Sequence, residues 1–246
     1  MTKPRKEWFG EWFDSPYYHI LYQHRDNKEA HQLIDNLAGK LSFCANATLL
    51  DLCCGRGRHA IYLNQKGFDV TGLDLSPQNI RFAQRFDNPM LHFAVHDMRQ
   101  VYAPKKFDAV LNLFTSFGYF DDPADNLRAL QAMKAALKPE GLLVIDFLNP
   151  EQVRQQLVAE EIKRTGGITF QIKRYVEDQW IVKQIAFEVE GKSHLFYEKV
   201  KLISREEFEA YFEQNQLKIS QLWGNYHLQP FELSTSPRMI FVLENA

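Results

Sequence analysis

The sequence predicts an α/β fold in which a mostly parallel sheet carries helices on both faces, with a small antiparallel β unit inserted late in the chain. Two patterns predict it. Up to about residue 149, apolar runs such as ATLLDLC, DVTGLDL and GLLVIDFL alternate with helical segments such as PQNIRFAQRF, as expected for parallel strands buried on both faces. After Pro150, ITFQIKRYV, WIVKQIAFEVE and SHLFYEKVKLI are joined by short turns, which predicts three antiparallel strands.

Length and composition are those of an ordinary globular protein. The 246 residues suit one large domain or a domain with an insertion. A formal net charge of −2 gives no overall basic field for nucleic acid or an anionic membrane. Cys44, Cys53 and Cys54 are too few and too clustered for a disulfide framework or a zinc site. Because no apolar run reaches membrane-spanning length, we expect a cytoplasmic protein without membrane contact.

The patterns divide the chain into three parts. Residues 1–28 form an aromatic and polar lead-in, residues 29–160 and 203–246 form the core, and residues 161–202 form the antiparallel insertion. Within the core, EQVRQQLVAEE and SREEFEAYFEQN are predicted helices, and LKISQLWG and RMIFVLE are predicted strands. Ser204 is the expected N-cap of the second helix, with Glu207 as its capping-box partner.

The stretch LLDLCCGRGRHAIYL has the order strand, glycine loop, helix. Such a loop presents backbone N–H groups and a helix N-terminus to a ligand. A dinucleotide fingerprint would need glycines at positions 53, 55 and 58, but only Gly55 fits, so nicotinamide cofactors are disfavoured. Small residues instead alternate after an acidic one, as Asp51, Cys53, Gly55 and Gly57. Since cysteine is small but not glycine, we expect an ordinary φ at Cys53.

This alternation resembles the first motif of the class I S-adenosylmethionine (SAM)-dependent methyltransferases, acidic-x-Gly-x-Gly-x-Gly, with Cys53 at the first glycine. Further landmarks of that family follow in order. VTGLDLS ends a second strand at Asp74, where a carboxylate can accept hydrogen bonds from ribose hydroxyls. HFAVHDMR and FDAVLNLF end the third and fourth strands, and LKPEGLLVIDFLN leads into the fifth, with Pro139 and Gly141 as helix stop and turn.

The resemblance implies a Rossmann-like sheet of seven strands with an antiparallel last strand, SAM as cofactor, and methyl transfer to a nitrogen or oxygen of a small molecule. The antiparallel insertion resembles that of N-methyltransferases acting on amino sugars or glycine. In the family, the acidic residue at Asp97 accepts from the adenine amino group, and Met98 packs on the ring. The residues implied for the cofactor are Asp51, Cys53, Gly55, Gly57, Asp74, Leu75, Asp97, Met98, Asn112, Phe114, Tyr22 and Arg25.

The lead-in is interpreted as a lid over the cofactor. Tyr18, Tyr22 and Arg25 would share one face of a short helix, and Arg25 could pair with the methionyl carboxylate. A packed aromatic helix without a functional role is the alternative. For methyl transfer, alignment of the acceptor is the main requirement, and neither a metal nor a covalent nucleophile is needed. The residues proposed for the acceptor or for proton removal are Tyr18, His19, Tyr119 and His227.

Other roles stay open. Asp51 could orient the loop instead of contacting the methionyl ammonium, and Asp74 could cap a helix. His59 fits a first-turn histidine better than a base, and Phe117 fits either the core or the acceptor site. Asn112 is not followed by the Pro-Pro-aromatic motif of enzymes that methylate nucleic-acid amines, so a nucleic-acid substrate is disfavoured. We expect a monomer or homodimer with a small-molecule acceptor; the alternative function is a non-catalytic SAM-binding partner or sensor.

Overall fold

A computed structural model describes residues 7–23 and 27–246. In this part of the chain the helices are α1 (Trp8–Trp12), α2 (Pro16–Leu21), α3 (Asn27–Leu41), α4 (Arg58–Gln65), α5 (Pro77–Ala83), α6 (Pro123–Ala136), α7 (Pro150–Gln155) and α8 (Arg205–Gln214). The strands are β1 (Thr48–Leu52), β2 (Asp69–Asp74), β3 (Leu91–Val95), β4 (Phe107–Asn112), β5 (Leu137–Leu148), β6 (Glu160–Thr165), β7 (Ile168–Glu177), β8 (Trp180–Val189), β9 (Lys192–Lys201), β10 (Leu217–Trp223) and β11 (Arg238–Asn245).

The main sheet has seven strands in the order β10-β11-β5-β4-β1-β2-β3. β1 to β5 run parallel, whereas β11 is antiparallel to both of its neighbours, β5 and β10. The predicted sheet with its antiparallel last strand is therefore confirmed. β1 lies between β2 and β4, so the strand order reverses direction there, and ligands of open α/β sheets bind beside such a reversal at the carboxyl ends of the strands.

Each face of the main sheet has its own hydrophobic core. One face packs against α3, α4 and α5 through residues such as Leu37, Leu63 and Ile80. The other packs against α6 and α8 through residues such as Leu130 and Phe208. β5 and β11 are buried on both faces, which explains their near-continuous apolar runs.

The insertion is a second sheet of four antiparallel strands in the order β6-β7-β8-β9. The three predicted antiparallel strands are present as β7, β8 and β9, but the prediction missed β6. The predicted length of the helix EQVRQQLVAEE was wrong, because that helix ends at Gln155. Residues 160–165 are mostly polar and mostly exposed, so no apolar alternation marks them as a strand. Their extended conformation comes from pairing with β7, in a register that joins Glu160 to Lys173 and Thr165 to Ile168.

Helices α1 and α2 pack against one face of the insertion sheet. Trp12 and Leu21 are fully buried there, among Phe170 and Ile185. The predicted aromatic helix is thus present as α2, with Tyr22 directly after its last residue. Arg25 lies outside the described residues. The proposed division of the chain at residues 28, 161 and 202 stays a prediction.

The element ends follow local chemistry. Ser204 and Glu207 form the predicted capping box at the start of α8. Pro139 lies two residues beyond Leu137, the C-cap of α6, which agrees with the predicted helix stop. The predicted turn at Gly141 was wrong, because the chain is extended from Leu137 to Leu148. Within the described residues, the helices are all too short or too polar to cross a membrane.

Candidate functional site

A cavity of about 900 Å³ lies at the carboxyl ends of β1, β2, β3 and β4. Its floor is the loop between β1 and α4, and α1, α2 and β9 contribute to its walls. Both the place and the size are those of small-molecule sites in open α/β folds.

The floor depends on residues at positive φ. Gly55 has a φ of +57° and open space where a Cβ would lie, whereas a Cβ on Gly57, at +82°, would come within 2.6 Å of the Phe93 ring. Cys53 has a φ of +67°, so the expectation of an ordinary φ there was wrong. Cysteine thus takes the left-handed conformation that glycine adopts without strain. Its sulfur lies 3.6 Å from that of Met98.

Asp51 lies beneath the floor, with 1% of its surface exposed. Its carboxylate accepts a hydrogen bond from the Ala60 N–H at 3.1 Å, which ties β1 to the first turn of α4. Burial raises the pKa of Asp51 to about 7. These contacts are those of a residue that orients the loop, which was one of the two roles left open for it.

Asp74 ends β2 and lines the cavity. One carboxylate oxygen accepts the N–H of Gly55 at 2.9 Å and the other accepts that of Ser76 at 2.9 Å. Burial raises its pKa, and these two N–H groups oppose the rise. Leu75, the next residue, is 39% exposed and also lines the cavity. A carboxylate fixed to the glycine loop in this way is suited to hydroxyl donors of a ligand.

Asp97 and Met98 follow β3 and line the cavity. Arg99 holds the Asp97 carboxylate through Nη2 at 2.6 Å and Nε at 3.0 Å. Burial by itself raises the pKa of Asp97, but the hydrogen bonds from Arg99 bring it below its ordinary value. Asp97 therefore stays an acceptor of hydrogen bonds at neutral pH. Met98 is 8% exposed and presents an apolar surface beside it.

Of the two residues predicted at the end of β4, Asn112 lies below the floor of the cavity and Phe114 lines the cavity. Asn112 is fully buried and donates to the Leu52 carbonyl at 3.2 Å, so it joins two strand ends below the floor. Phe114 lines the cavity, with the Arg58 guanidinium 4.5 Å from its ring centroid and the His59 ring at 5.0 Å. Burial lowers the pKa of His59 to about 3, which is consistent with a buried first-turn histidine and not with a base.

The three amino-terminal candidates within the described residues all line the cavity. His19 lies 2.7 Å from the Asn79 side-chain oxygen, and burial, with a smaller contribution from Arg56, lowers its pKa to about 4. Tyr22 donates to Glu198 at 2.6 Å and also contacts Lys183. The ring of Tyr18 lies 4.8 Å from that of Tyr22.

Two further candidates lie on different sides of the cavity. Tyr119 donates to the Thr115 carbonyl and packs its ring 5.4 Å from Trp8. His227, on the loop between β10 and β11, is exposed and contacts Gln32 of α3 at 3.1 Å. Phe117 is fully buried, so of its two open roles the core is the observed one.

Sequence reasoning missed four of the six residues that form the insertion side of the cavity, which we call the aromatic chamber. The chamber is lined by Trp8, Phe13, Tyr18, Tyr119, Glu198 and Val200. The run WFGEWF could have signalled Trp8 and Phe13, because aromatic side chains recur there on one short helix. Glu198 carries no local signal; it faces inward because β9 pairs with β8 in a register that sets it opposite Lys183.

Comparison of the sequence with known protein families identifies a family that matches most of the chain. A sequence family described as a methyltransferase domain matches residues 22–222. The chain belongs to this methyltransferase family. The family assignment confirms the resemblance predicted from the glycine loop and strand ends, and SAM is the cofactor.

Two relatives and one solved structure are similar to the methyltransferase. A Streptomyces venezuelae dTDP-3-amino-3,4,6-trideoxy-alpha-D-glucopyranose N,N-dimethyltransferase is 28% identical over 72% of this chain and 78% of its own. The dTDP-3-amino-3,6-dideoxy-alpha-D-glucopyranose N,N-dimethyltransferase of Streptomyces fradiae is 34% identical, over 50% of this chain and 48% of its own. An S-adenosylmethionine-dependent methyltransferase from Clostridium acetobutylicum ATCC 824 shares the fold, with a TM-score of 0.79 and 20% identity over 94% of this chain and 96% of that one.

Proposed function

We propose that this methyltransferase transfers the methyl group of SAM to the nitrogen of a small amine held in the aromatic chamber. The observation that carries the proposal is the Glu198 carboxylate at the wall of that chamber. Aromatic faces and a carboxylate together suit an amine and its cationic methylated product. The two similar amino-sugar N,N-dimethyltransferases support this class of acceptor.

The cofactor fits the opposite side of the cavity. Asp74 would accept hydrogen bonds from the ribose hydroxyls, and Asp97 one from the adenine amino group, with Leu75 and Met98 against the ring. The open space beside Gly55 leaves room for the methionyl part above the floor. When bound, SAM supplies a methyl group already activated by its sulfonium, so that the N–C bond forms as the S–C bond breaks.

The chain's contribution is alignment. Glu198 Oε1 accepts from Trp12 Nε1 and from the Tyr22 hydroxyl, both at 2.6 Å, and Lys183 lies 3.4 Å from Oε2. These donors fix the position of the carboxylate, so that it can accept a hydrogen bond from an amine N–H. Held by that hydrogen bond, the amine directs its lone pair at the methyl carbon, and such positioning can contribute about 7–11 kcal/mol.

Neither histidine proposed from the sequence is well suited to remove a proton. His19, with a pKa of about 4, is a weak base at pH 7. His227 is exposed on the rim and contacts α3. We therefore propose that the acceptor reacts as the neutral amine and that the product ammonium loses its proton to solvent.

The test compares Glu198→Gln with Glu188→Gln, an exposed position on the same sheet. We expect Glu198→Gln to lower kcat/KM for a panel of small amines by about 10- to 100-fold, because a charged hydrogen bond is lost, while the dissociation constant for S-adenosylhomocysteine changes less than threefold. Glu188→Gln should have the kcat/KM and the dissociation constant of the wild type. Equal activity of all three proteins would remove Glu198 from the site.

A SAM-binding sensor without catalysis is the second candidate. It would bind SAM and S-adenosylhomocysteine but consume no SAM with any amine, phenol or alcohol in the panel. Methylation of a phenol or alcohol would instead indicate an O-methyltransferase.

We further propose a cytoplasmic monomer or homodimer, in keeping with the free thiols of Cys44, Cys53 and Cys54. Light scattering of the purified protein measures the oligomeric state.

A further inference from the structure

The turn that follows β4, Leu113 to Ser116, has a strained backbone. Phe114 and Thr115 have φ values of +57° and +60°. Residues with a Cβ seldom adopt this left-handed region, and two in succession are rarer still, because the Cβ crowds the following carbonyl oxygen. Such a backbone persists only where its surroundings hold it in place. The surroundings of this β4 turn are therefore informative.

Asp146, in the middle of the buried strand β5, is the first part of that support. It has no exposed surface. Its Oδ2 accepts the N–H of Phe114 at 2.8 Å, and its backbone carbonyl accepts the N–H of Thr115 at 3.0 Å. Oδ2 also accepts the hydroxyl of Tyr226 at 3.1 Å, from the loop between β10 and β11. Asp146 thus fixes Phe114 and a second loop through its carboxylate, and Thr115 through its backbone carbonyl.

Arg238, the first residue of β11, completes the support. Its Nε and Nη2 each lie 2.8 Å from Asp146 Oδ1, and Nη2 also donates to Thr115 Oγ1 at 2.9 Å. The fork of the guanidinium therefore joins β5 to the β4 turn, which a single-point ammonium could not do in the same way. A buried carboxylate without this partner would be strongly destabilised.

The β4 turn carries side chains to both halves of the cavity. The ring of Phe114 lies between the Arg58 guanidinium on the cofactor side and the ring of Tyr226, whose centroid is 5.1 Å away. The Thr115 carbonyl accepts the hydroxyl of Tyr119, in the aromatic chamber. A shift of this turn would move Phe114 and Tyr119 together.

We propose that Asp146 and Arg238 are positioning residues for methyl transfer: they hold the strained β4 turn so that the cofactor side and the acceptor chamber keep their relative placement. This inference rests on the proposed function of the cavity. It predicts that weakening the pair lowers the rate of the chemical step more than it weakens cofactor binding, because misplacement of about 1 Å can cost on the order of 100-fold in rate.

The experiment uses the full-length variants Arg238→Lys, Thr115→Val and Thr115→Ser. Arg205→Lys is the matched control, since Arg205 pairs with Glu209 on the exposed face of α8. Hydrogen exchange measured by mass spectrometry on the peptide covering residues 113–118 reports whether the turn is held, independently of activity. Steady-state kinetics with an amine, and calorimetric binding of S-adenosylhomocysteine, report the consequence.

We expect Arg238→Lys and Thr115→Val to speed exchange in that peptide about tenfold and to lower kcat about 10- to 100-fold, with a dissociation constant for S-adenosylhomocysteine within threefold of wild type. Thr115→Ser, which keeps the hydroxyl, should recover most of the lost kcat. Unchanged exchange in Arg238→Lys would overturn the inference. A wild type that methylates no amine would instead overturn the proposed function, and the exchange result would still decide whether the pair holds the turn.

Discussion

Three residues of the cavity wall have a side chain and a left-handed backbone: Cys53 at +67°, Phe114 at +57° and Thr115 at +60°. Each such residue costs about 1–2 kcal/mol relative to an ordinary φ. Two of the three lie in the β4 turn and the third lies in the glycine loop. Other non-glycine residues with positive φ, such as Asn46 and Asp178, lie outside the cavity. At the cavity, the fold fixes a conformation that the local sequence disfavours, as is known for functional sites.

The strain at Cys53 predicts an unusual order of stabilities. We expect Cys53→Gly to be about 1 kcal/mol more stable than Cys53→Ala, because glycine relieves the positive φ while both variants lose the contact with Met98. Urea denaturation measures the difference. In α3, where φ is helical, Ala38→Gly should instead destabilise by about 1 kcal/mol relative to wild type. If Cys53→Gly were the less stable of the two Cys53 variants, strain at Cys53 would be negligible.

Asp51 predicts a dependence of stability on pH. Its folded pKa of about 7 lies above the ordinary value of 3.8, so between these values the folded protein holds a proton that the unfolded chain has lost. The contribution of Asp51 is therefore fully present below about pH 4 and is lost as pH rises towards 7, by up to about 1.4 kcal/mol per unit. Asp51→Asn, which keeps an acceptor for the Ala60 N–H, should lack this loss.

The measurement is the melting temperature of the cofactor-free proteins at pH 5 and pH 8. The melting temperature of Asp51→Asn should rise relative to that of the wild type as pH increases. The difference in melting temperature between the two proteins isolates the contribution of Asp51 from those of other titrating groups. Burial lowers the folded pKa of His59 to about 3, from an ordinary 6.5, so His59 costs stability as pH falls below 6.5 in both proteins alike. A constant difference between wild type and Asp51→Asn across this range would mean that Asp51 is ionised throughout.

At the scale of elements, the strands that could be predicted are those whose pattern is local. β1, β2, β4 and β5 are apolar because helices cover both faces of the sheet, and the capping box of α8 lies within four consecutive residues. β6 could not be predicted from periodicity, because its residues are mostly polar and its conformation comes from pairing with β7. Tertiary pairing decides such a strand.

The candidate site divides in the same way. Asp51, Asp74 and the loop glycines could be found because they lie at the carboxyl end of a strand or within the loop that follows it, so sequence position fixes their place at the sheet edge. Glu198 and Arg238 could not be found from the sequence. Their positions depend on the register of β9 against β8 and of β11 against β5. The chamber is assembled from the segment of α1 and α2, from Tyr119 beyond the β4 turn, and from β9 of the insertion, which are far apart in sequence and meet only in the folded chain.

At the scale of the whole molecule, the amino-terminal helices connect the two halves of the cavity. Asp14, between α1 and α2, accepts hydrogen bonds from Ser76 Oγ at 2.6 Å and from the Gln78 N–H at 3.1 Å. The same helices pack on the insertion sheet through Trp12. They therefore bridge the turn after Asp74, where the cofactor is proposed to bind, and the sheet that carries Glu198. An acceptor in the aromatic chamber would lie between these helices and the glycine loop.

This arrangement predicts ordered binding, with SAM before the amine. An amine bound first in the aromatic chamber would obstruct access of SAM to the glycine loop. A bound cofactor, in contrast, would complete the chamber wall opposite Glu198. In calorimetry, we expect an amine substrate to bind at least tenfold more tightly to the protein saturated with S-adenosylhomocysteine than to the cofactor-free protein. Initial rates should show S-adenosylhomocysteine competing with SAM but not with the amine. Equal affinity of the amine with and without S-adenosylhomocysteine would mean that the two halves of the cavity fill independently, and that the amino-terminal helices only cover them.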